Sequence, residues 1–131
     1  MTRIPTILLV DDDDPFRAVM AGELGHRGFQ VTAADCGKEA LKQLEEEQPD
    51  ILLLDLQLPD MSGLEVLEEA EKKSPGSEVI MLTGHGSMDT AIEAIRKGAF
   101  DYVSKPCPLD ELEVRIQRAL DHQALNRRTS V

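Results

Sequence analysis

The sequence has no tryptophan and one tyrosine, Tyr102, and aromatic residues make up 3% of its 131 residues. It has two cysteines, Cys36 and Cys107, with no Cys-x-x-Cys or Cys/His cluster around either. That spacing argues against a disulfide scaffold and against a zinc site, and leaves two reduced thiols. Long apolar runs are also missing. No stretch approaches the roughly 20 apolar residues of a membrane span, and the start, Met1-Thr2-Arg3-Ile4-Pro5, has no signal-peptide core. The chain reads as soluble and cytoplasmic, without a membrane partner. Positive charge is scarce as well: 14 Lys and Arg stand against 25 Asp and Glu, for a formal net charge of -11. No Lys/Arg stripe is available for a phosphate backbone, so direct nucleic-acid binding is excluded as this chain's own activity.

What is present is a core. A hydrophobic fraction of 41% in one domain-sized chain fits a single fold that buries roughly two-thirds of its unfolded surface. Three short unbroken apolar runs, Ile7 to Val10, Ile51 to Leu54 and Val79 to Leu82, read as strands buried on both faces. Gln30 to Ala34 and Asp101 to Ser104 are weaker strand candidates. Apolar residues recur at helical spacing between them: Phe16, Val19, Met20 and Leu24; Ala40, Leu41 and Leu44; Leu64, Leu67 and Ala70; Ala91, Ile92 and Ile95; then Leu109, Leu112, Ile116, Ala119 and Leu120. Each set predicts one apolar stripe on a charged helix. Gly28, Pro49, Pro75 and Gly98 suit helix ends, and Asp14-Pro15, Ser62 and Asp110 suit helix starts. Met20, Met61, Met81 and Met88 read as packing residues.

Strict alternation of strand and helix implies parallel strands joined by right-handed crossovers, an α/β open doubly wound sheet with helices on both faces. Ligands of such sheets bind beyond the carboxyl ends of the strands. At those ends stand Asp11-Asp12-Asp13-Asp14, then Asp55 to Gly63, then Thr83-Gly84-His85, and finally Lys105-Pro106. Clustered carboxylates repel and raise one another's pKa unless a cation lies among them. Oxygen donors without His or Cys suit a hard divalent ion, Mg²⁺, with Mn²⁺ able to substitute. Such an ion, with Lys105 and the Thr83 hydroxyl opposite, would let a phosphoryl group approach. A carboxylate is a competent phosphoryl nucleophile. Asp55, after the most apolar strand, is the candidate acceptor.

The segments ILLVDDDDP, ILLLDLQLPDMSG, VIMLTGHG and GAFDYVSKP, in that order and spacing, resemble the receiver domain of bacterial two-component response regulators. The likeness runs from about Ile7 to the last helix, and TGHGSMDTAIEAIRKGAFDYVSKP is similar to receivers of NtrC-type transcription activators. It implies a five-stranded CheY-like (βα)5 fold with strand order 2-1-3-4-5. It further implies that Asp55 is phosphorylated and that Asp12 and Asp55 ligate Mg²⁺ through their carboxylates. Gln57 joins through its backbone carbonyl and Asp11 through water. Thr83 and Lys105 would bind phosphoryl oxygens, and Tyr102 would be the switch aromatic. The Lys105-Pro106 bond is expected to be cis. The implied phosphodonor is a sensor histidine kinase or a phosphotransfer protein. The implied role is regulatory, not enzymatic beyond self-catalysed phosphotransfer and autodephosphorylation.

In isolation these residues have blander readings. Asp13 and Asp14 suit a helix cap, Thr83 a strand end and Lys105 an exposed surface; only their joint order promotes Asp11, Asp12, Thr83 and Lys105 to a site. His85 and the Gln57 side chain are candidate modulators of acyl-phosphate lifetime. The fourth helix, fifth strand and fifth helix form the expected output surface, with Asp89, Glu93, Arg96, Lys97, Glu111, Arg115 and Arg118 supplying both signs of charge for an output domain or a second receiver. Residues 1–121 are expected to form the receiver, and 122–131 a helix tail or a linker cut short before an effector domain. A stand-alone receiver is the alternative. Two rival functions come from the same residues. Asp11-x-Asp13 imitates a haloacid-dehalogenase-like phosphatase, but Pro15 stands where Thr or Val is wanted and a later paired acidic motif is missing. A flavodoxin-like flavin binder would need a Ser/Thr-rich loop after Val10.

Overall fold

The computed structural model describes residues 3–129. The three apolar runs and the two weaker candidates form the strands predicted for them: β1 (Thr6–Val10), β2 (Gln30–Ala34), β3 (Ile51–Leu54), β4 (Glu78–Thr83) and β5 (Asp101–Ser104). All pair in parallel, in the order β2-β1-β3-β4-β5. Helices α1 (Asp14–His26), α2 (Gly37–Glu47), α3 (Gly63–Lys73), α4 (Met88–Arg96) and α5 (Leu109–Thr129) alternate with them.

The two-residue period of a strand divides the core into two halves. Leu8, Val10, Leu52, Leu54, Val79 and Met81 point to one face, where they meet Ala40 and Leu44 of α2 and Val66, Leu67 and Ala70 of α3. Ile7, Leu9, Ile51, Leu53, Ile80 and Leu82 point to the other, against Leu24 of α1 and Leu112, Ile116 and Ala119 of α5. Every residue of β3 is fully buried, which explains its unbroken apolar run. Burial of each such side chain is worth about 1.5–3 kcal/mol, so truncating Leu53 to Ala should cost about 2–5 kcal/mol.

Caps set the helix starts. The Asp13 side chain accepts from the Phe16 N–H with Pro15 in the first turn, and Ser62 accepts from Leu64. Ser87 and Thr90 form a reciprocal capping box on α4. Gly28 and Gly98 follow α1 and α4 with φ of 97° and 111°. Asp110 lies inside the first turn of α5, one residue after its start.

Some stripe positions differ from expectation. Val19, Ile92 and Ile95 are exposed at 65%, 45% and 49%, and Met88, read as a packing residue, is exposed at 77%. On α4 only Ala94 is buried; this small side chain lets the short helix lie close to the sheet while its branched neighbours face outward. Met81 is buried, and Met20 and Met61 pack against the two halves of the core. Cys36 and Cys107 are free and half-buried.

The helix α5 runs without a break through residue 121, where the domain was expected to give way to a tail. Beyond that point Gln123 is buried and its side-chain amide donates to the carbonyls of Asp50 and Gly76 at 3.3 and 2.8 Å. Ser130 and Val131, the end of the expected tail, lie outside the described residues. Among the described residues no helix is long and apolar enough to cross a membrane.

Candidate acidic site at the strand ends

Register brings the site together. Val10 is level with Leu54, Leu54 with Met81, and Thr83 with Ser104, so the residues that follow converge beyond one edge of the sheet. Asp11, Asp12 and Asp55 each offer a carboxylate oxygen within 4.8 Å of the others. Asp11 and Asp55 are buried at 1% and 4%, and Asp12 is exposed. Opposite them Lys105 places its Nζ 2.5 Å from Asp11 Oδ2 and 3.4 Å from Asp55 Oδ2. Its peptide bond to Pro106 is cis, as the resemblance implied.

Two of the three carboxylates, Asp11 and Asp55, thus share one ammonium. Burial pushes the Asp11 carboxyl up, because the pull of Lys105 and of the Asp13 N–H does not offset desolvation and the nearby Asp55 charge. Burial works against the Lys105 charge too, yet the bond to Asp11 and the fields of both aspartates raise it. The donor set is oxygen only, acidic, and open on the Asp12 side. It fits a hard divalent cation, which would relieve the repulsion.

Thr83 is buried at the end of β4, and its hydroxyl accepts from the His85 N–H at 3.1 Å. His85 is exposed in the β4–α4 loop. Gln57 is exposed two residues past Asp55, and its N–H donates weakly to Asp55 Oδ1 at 3.4 Å. Tyr102 is half-buried, with its hydroxyl 3.0 Å from that of Thr90 in the α4 capping box. A Cβ at Gly86 would lie 1.6 Å from the Tyr102 hydroxyl oxygen, so glycine there lets the ring cross the loop. Asp11, Asp12, Asp55, Lys105 and Thr83 therefore share the strand ends, while Tyr102 faces the start of α4.

Supporting residues were not visible in the sequence. Arg17 donates to the Asp11 carbonyl at 2.8 Å and to Asp14 at 2.6 Å, bracing the acidic loop. The Phe16 ring lies 4.1 Å beneath Lys105 Nζ. Asp60 accepts from the Gly37 and Lys38 N–H groups at 2.7 and 2.9 Å, and these bonds hold its carboxyl below the usual range. It thereby caps α2, whose own N-cap Cys36 makes no side-chain bond. The one available signal was that Cys36 is a poor cap. A Cβ at Gly63 would fall 2.2 Å from the Asp55 carbonyl oxygen, so the start of α3 can press against the end of β3 only with glycine there.

A family model described as "Response regulator receiver domain" matches residues 7–117. The chain belongs to this family. Among curated relatives of the receiver, the regulatory protein AtoC of Escherichia coli (strain K12) is 39% identical over 127 residues, 97% of this chain and 28% of AtoC. The DNA-binding transcriptional regulator NtrC of Proteus hauseri is 39% identical over 116 residues, 88% of this chain and 24% of NtrC. The chain thus spans about a quarter of the length of these relatives. The crystal structure of a CheY-like receiver domain protein from Methanospirillum hungatei JF-1 superposes with a TM-score of 0.91 at 35% identity. The match covers 95% of this chain and 99% of that one. The receiver family and the CheY-like fold are as the motifs implied, and the phosphatase and flavin-binder readings fall away.

Proposed function

We propose that Asp55 is the phosphoacceptor of this receiver, taking its phosphoryl group from a phosphohistidine of a sensor kinase or a phosphotransfer protein. One Asp55 carboxylate oxygen forms a bond to phosphorus as the phosphorus–nitrogen bond of the donor breaks, and its electron pair returns to the imidazole. The product is an acyl phosphate. Water attack at phosphorus later releases inorganic phosphate and restores the carboxylate. The observation that carries the reading is the cluster of Asp11, Asp12 and Asp55 oxygens within 4.8 Å, faced by Lys105.

The carboxylates of Asp12 and Asp55, the Gln57 backbone carbonyl and, through water, Asp11 would hold Mg²⁺ or Mn²⁺. The bound ion supplies charge neutralisation for the incoming phosphoryl oxygens. Lys105 and the Thr83 hydroxyl bind those oxygens from the other side. The Thr83 hydroxyl accepts from the His85 N–H and keeps its own proton to donate to those oxygens; drawn inward to do so, it frees space into which Tyr102 turns. That shift biases the face of α4, β5 and α5 toward an output domain or a second receiver, in control of transcription. The receiver unit is residues 1–121, with 122–131 a helix tail, anchored to the domain through Gln123, or a linker toward an effector domain; it works in the cytoplasm as a regulatory domain.

Mg²⁺-dependent, acid-stable and base-labile labelling from acetyl phosphate, at one phosphoryl group per chain, tests the assignment. Labelling should fall to background in Asp55→Asn; a labelled Asp55→Asn protein would sink it. His85 and Gln57 are read as modulators of acyl-phosphate lifetime. His85→Ala should change the dephosphorylation half-life, and an unchanged decay removes His85 from that role.

A further inference from the structure

Among the described residues Lys105 is the one cation that pairs with the carboxylates of Asp11 and Asp55, and its ammonium ends a flexible four-carbon stem. In the structure three things hold it: Asp11, more distantly Asp55, and the face of the Phe16 ring 4.1 Å from Nζ to the ring centre. Two of these holds are ionic. Once a cation compensates the carboxylates, the attraction of Asp11 and Asp55 for Lys105 falls. The third hold does not depend on those charges, because a cation is drawn to the ring's own electron density.

Phe16 is well built for this task. Its N–H is fixed by the Asp13 cap at 3.0 Å, and the next residue, Arg17, ties the same turn to the Asp11 carbonyl at 2.8 Å. The ring packs, partly buried, against the half of the core that α1 and α5 cover, which restrains its plane. The carboxylates of Asp11 and Asp12 and the aromatic platform therefore belong to one rigid loop and helix start. On the other side, the Lys105 N–H donates to the Thr83 carbonyl at 2.9 Å and fixes the root of the side chain.

We propose that Phe16 is a positioning residue for phosphotransfer, its ring holding the Lys105 ammonium over Asp55 when the acidic cluster carries its cation. The inference rests on the reading of Lys105 as a phosphoryl-oxygen ligand. A leucine at position 16 fills much of the same apolar space but offers no ring face; tyrosine and tryptophan restore one.

The test uses the native chain and Phe16→Leu, Phe16→Tyr, Phe16→Trp and Lys105→Gln variants. First, without divalent ion or phosphodonor, the Lys105 ε-methylene protons are followed by nuclear magnetic resonance. They should be shifted upfield by the ring in the native chain and return toward free-lysine values in Phe16→Leu. Second, the rate of labelling from acetyl phosphate at saturating Mg²⁺ should fall roughly three- to tenfold in Phe16→Leu, with recovery in Phe16→Trp or Phe16→Tyr. Mg²⁺ affinity, read by calorimetry, should stay within about twofold, since the ring touches no carboxylate. A native labelling rate in Phe16→Leu overturns the inference, as does a Phe16→Trp protein as slow as Phe16→Leu. If Lys105→Gln slows labelling while Phe16→Leu does not, the role of Lys105 stands and that of Phe16 falls; if Lys105→Gln labels at the native rate, both fall.

Discussion

Asp50 and Asp55 flank the same strand, β3, and both are buried, at 2% and 4% exposure, yet their surroundings are opposite. Asp50 accepts two bonds from the Arg3 guanidinium at 2.8 and 2.6 Å, and one each from the Thr6 N–H and hydroxyl at 2.9 and 3.2 Å. Burial alone would raise its carboxyl, but Arg3 and Thr6 outweigh it and hold Asp50 below the usual carboxylate range. Its neighbourhood is equally satisfied: Ser77 donates to the Pro49 carbonyl, Ser74 and Ser77 share a bond at 2.6 Å, and the Asp50 carbonyl receives Gln123. Among the described residues the Asp55 carboxylate has only long contacts, to Lys105 and the Gln57 N–H, both at 3.4 Å, and it looks onto two further carboxylates. One end of the strand has spent its acidity on holding the chain together. At the other end acidity is left open, which is the condition for binding a cation and a phosphoryl group.

The contrast can be broken first at Asp50. Asp50→Ala strands Arg3 and a buried backbone, and should lower stability by about 2–4 kcal/mol, measured by urea unfolding, while labelling at Asp55 continues in the folded fraction. Stability comparable to the native chain would mean that the Arg3–Asp50 pair is ornamental. The same residue predicts an acid response. A carboxyl whose folded pKa lies below its unfolded value, near 3.9, stabilises the fold above that value. The contribution is lost as pH falls through the folded pKa. The stability difference between the native chain and Asp50→Asn should therefore be level near neutral pH and shrink below about pH 4. A gap that persists unchanged at pH 3 would contradict the assignment. The smallest effect belongs to Asp55. Asp55→Asn removes one of three crowded charges and should leave stability unchanged or raise it by up to about 1 kcal/mol in Mg²⁺-free buffer; a loss above that would show that Asp55 also serves the fold.

Sequence patterning revealed what depends on local repetition. The runs of β1, β3 and β4 are apolar throughout because helices cover both faces, and strand ends in such a sheet are where chemistry gathers, so Asp11, Asp55, Thr83 and Lys105 could be grouped before their distances were known. Contacts between side chains remote in sequence left no local trace. Arg3 reaches Asp50 across 47 positions, and the Phe16 ring meets Lys105 from a different element. On α4, spacing alone could not tell which face is buried, because apolar residues are spread around this short charged helix and it is Ala94, not the larger Ile92 and Ile95, that is buried. The face of α4, β5 and α5 is also more self-paired than its mixed charges suggested. Arg115 binds Asp101 at 2.8 Å and Glu111 at 3.1 Å, and Lys97 binds Glu68 of α3.

The contact of Tyr102 with Thr90 has a practical consequence. In a chain without tryptophan and with one tyrosine, light absorbed beyond the phenylalanine band is taken up by a single ring, and the emission returned comes from that ring alone. Because the hydroxyl of that ring is shared with the cap of α4, the intrinsic fluorescence of the unlabelled protein is an optical gauge of how α4 begins.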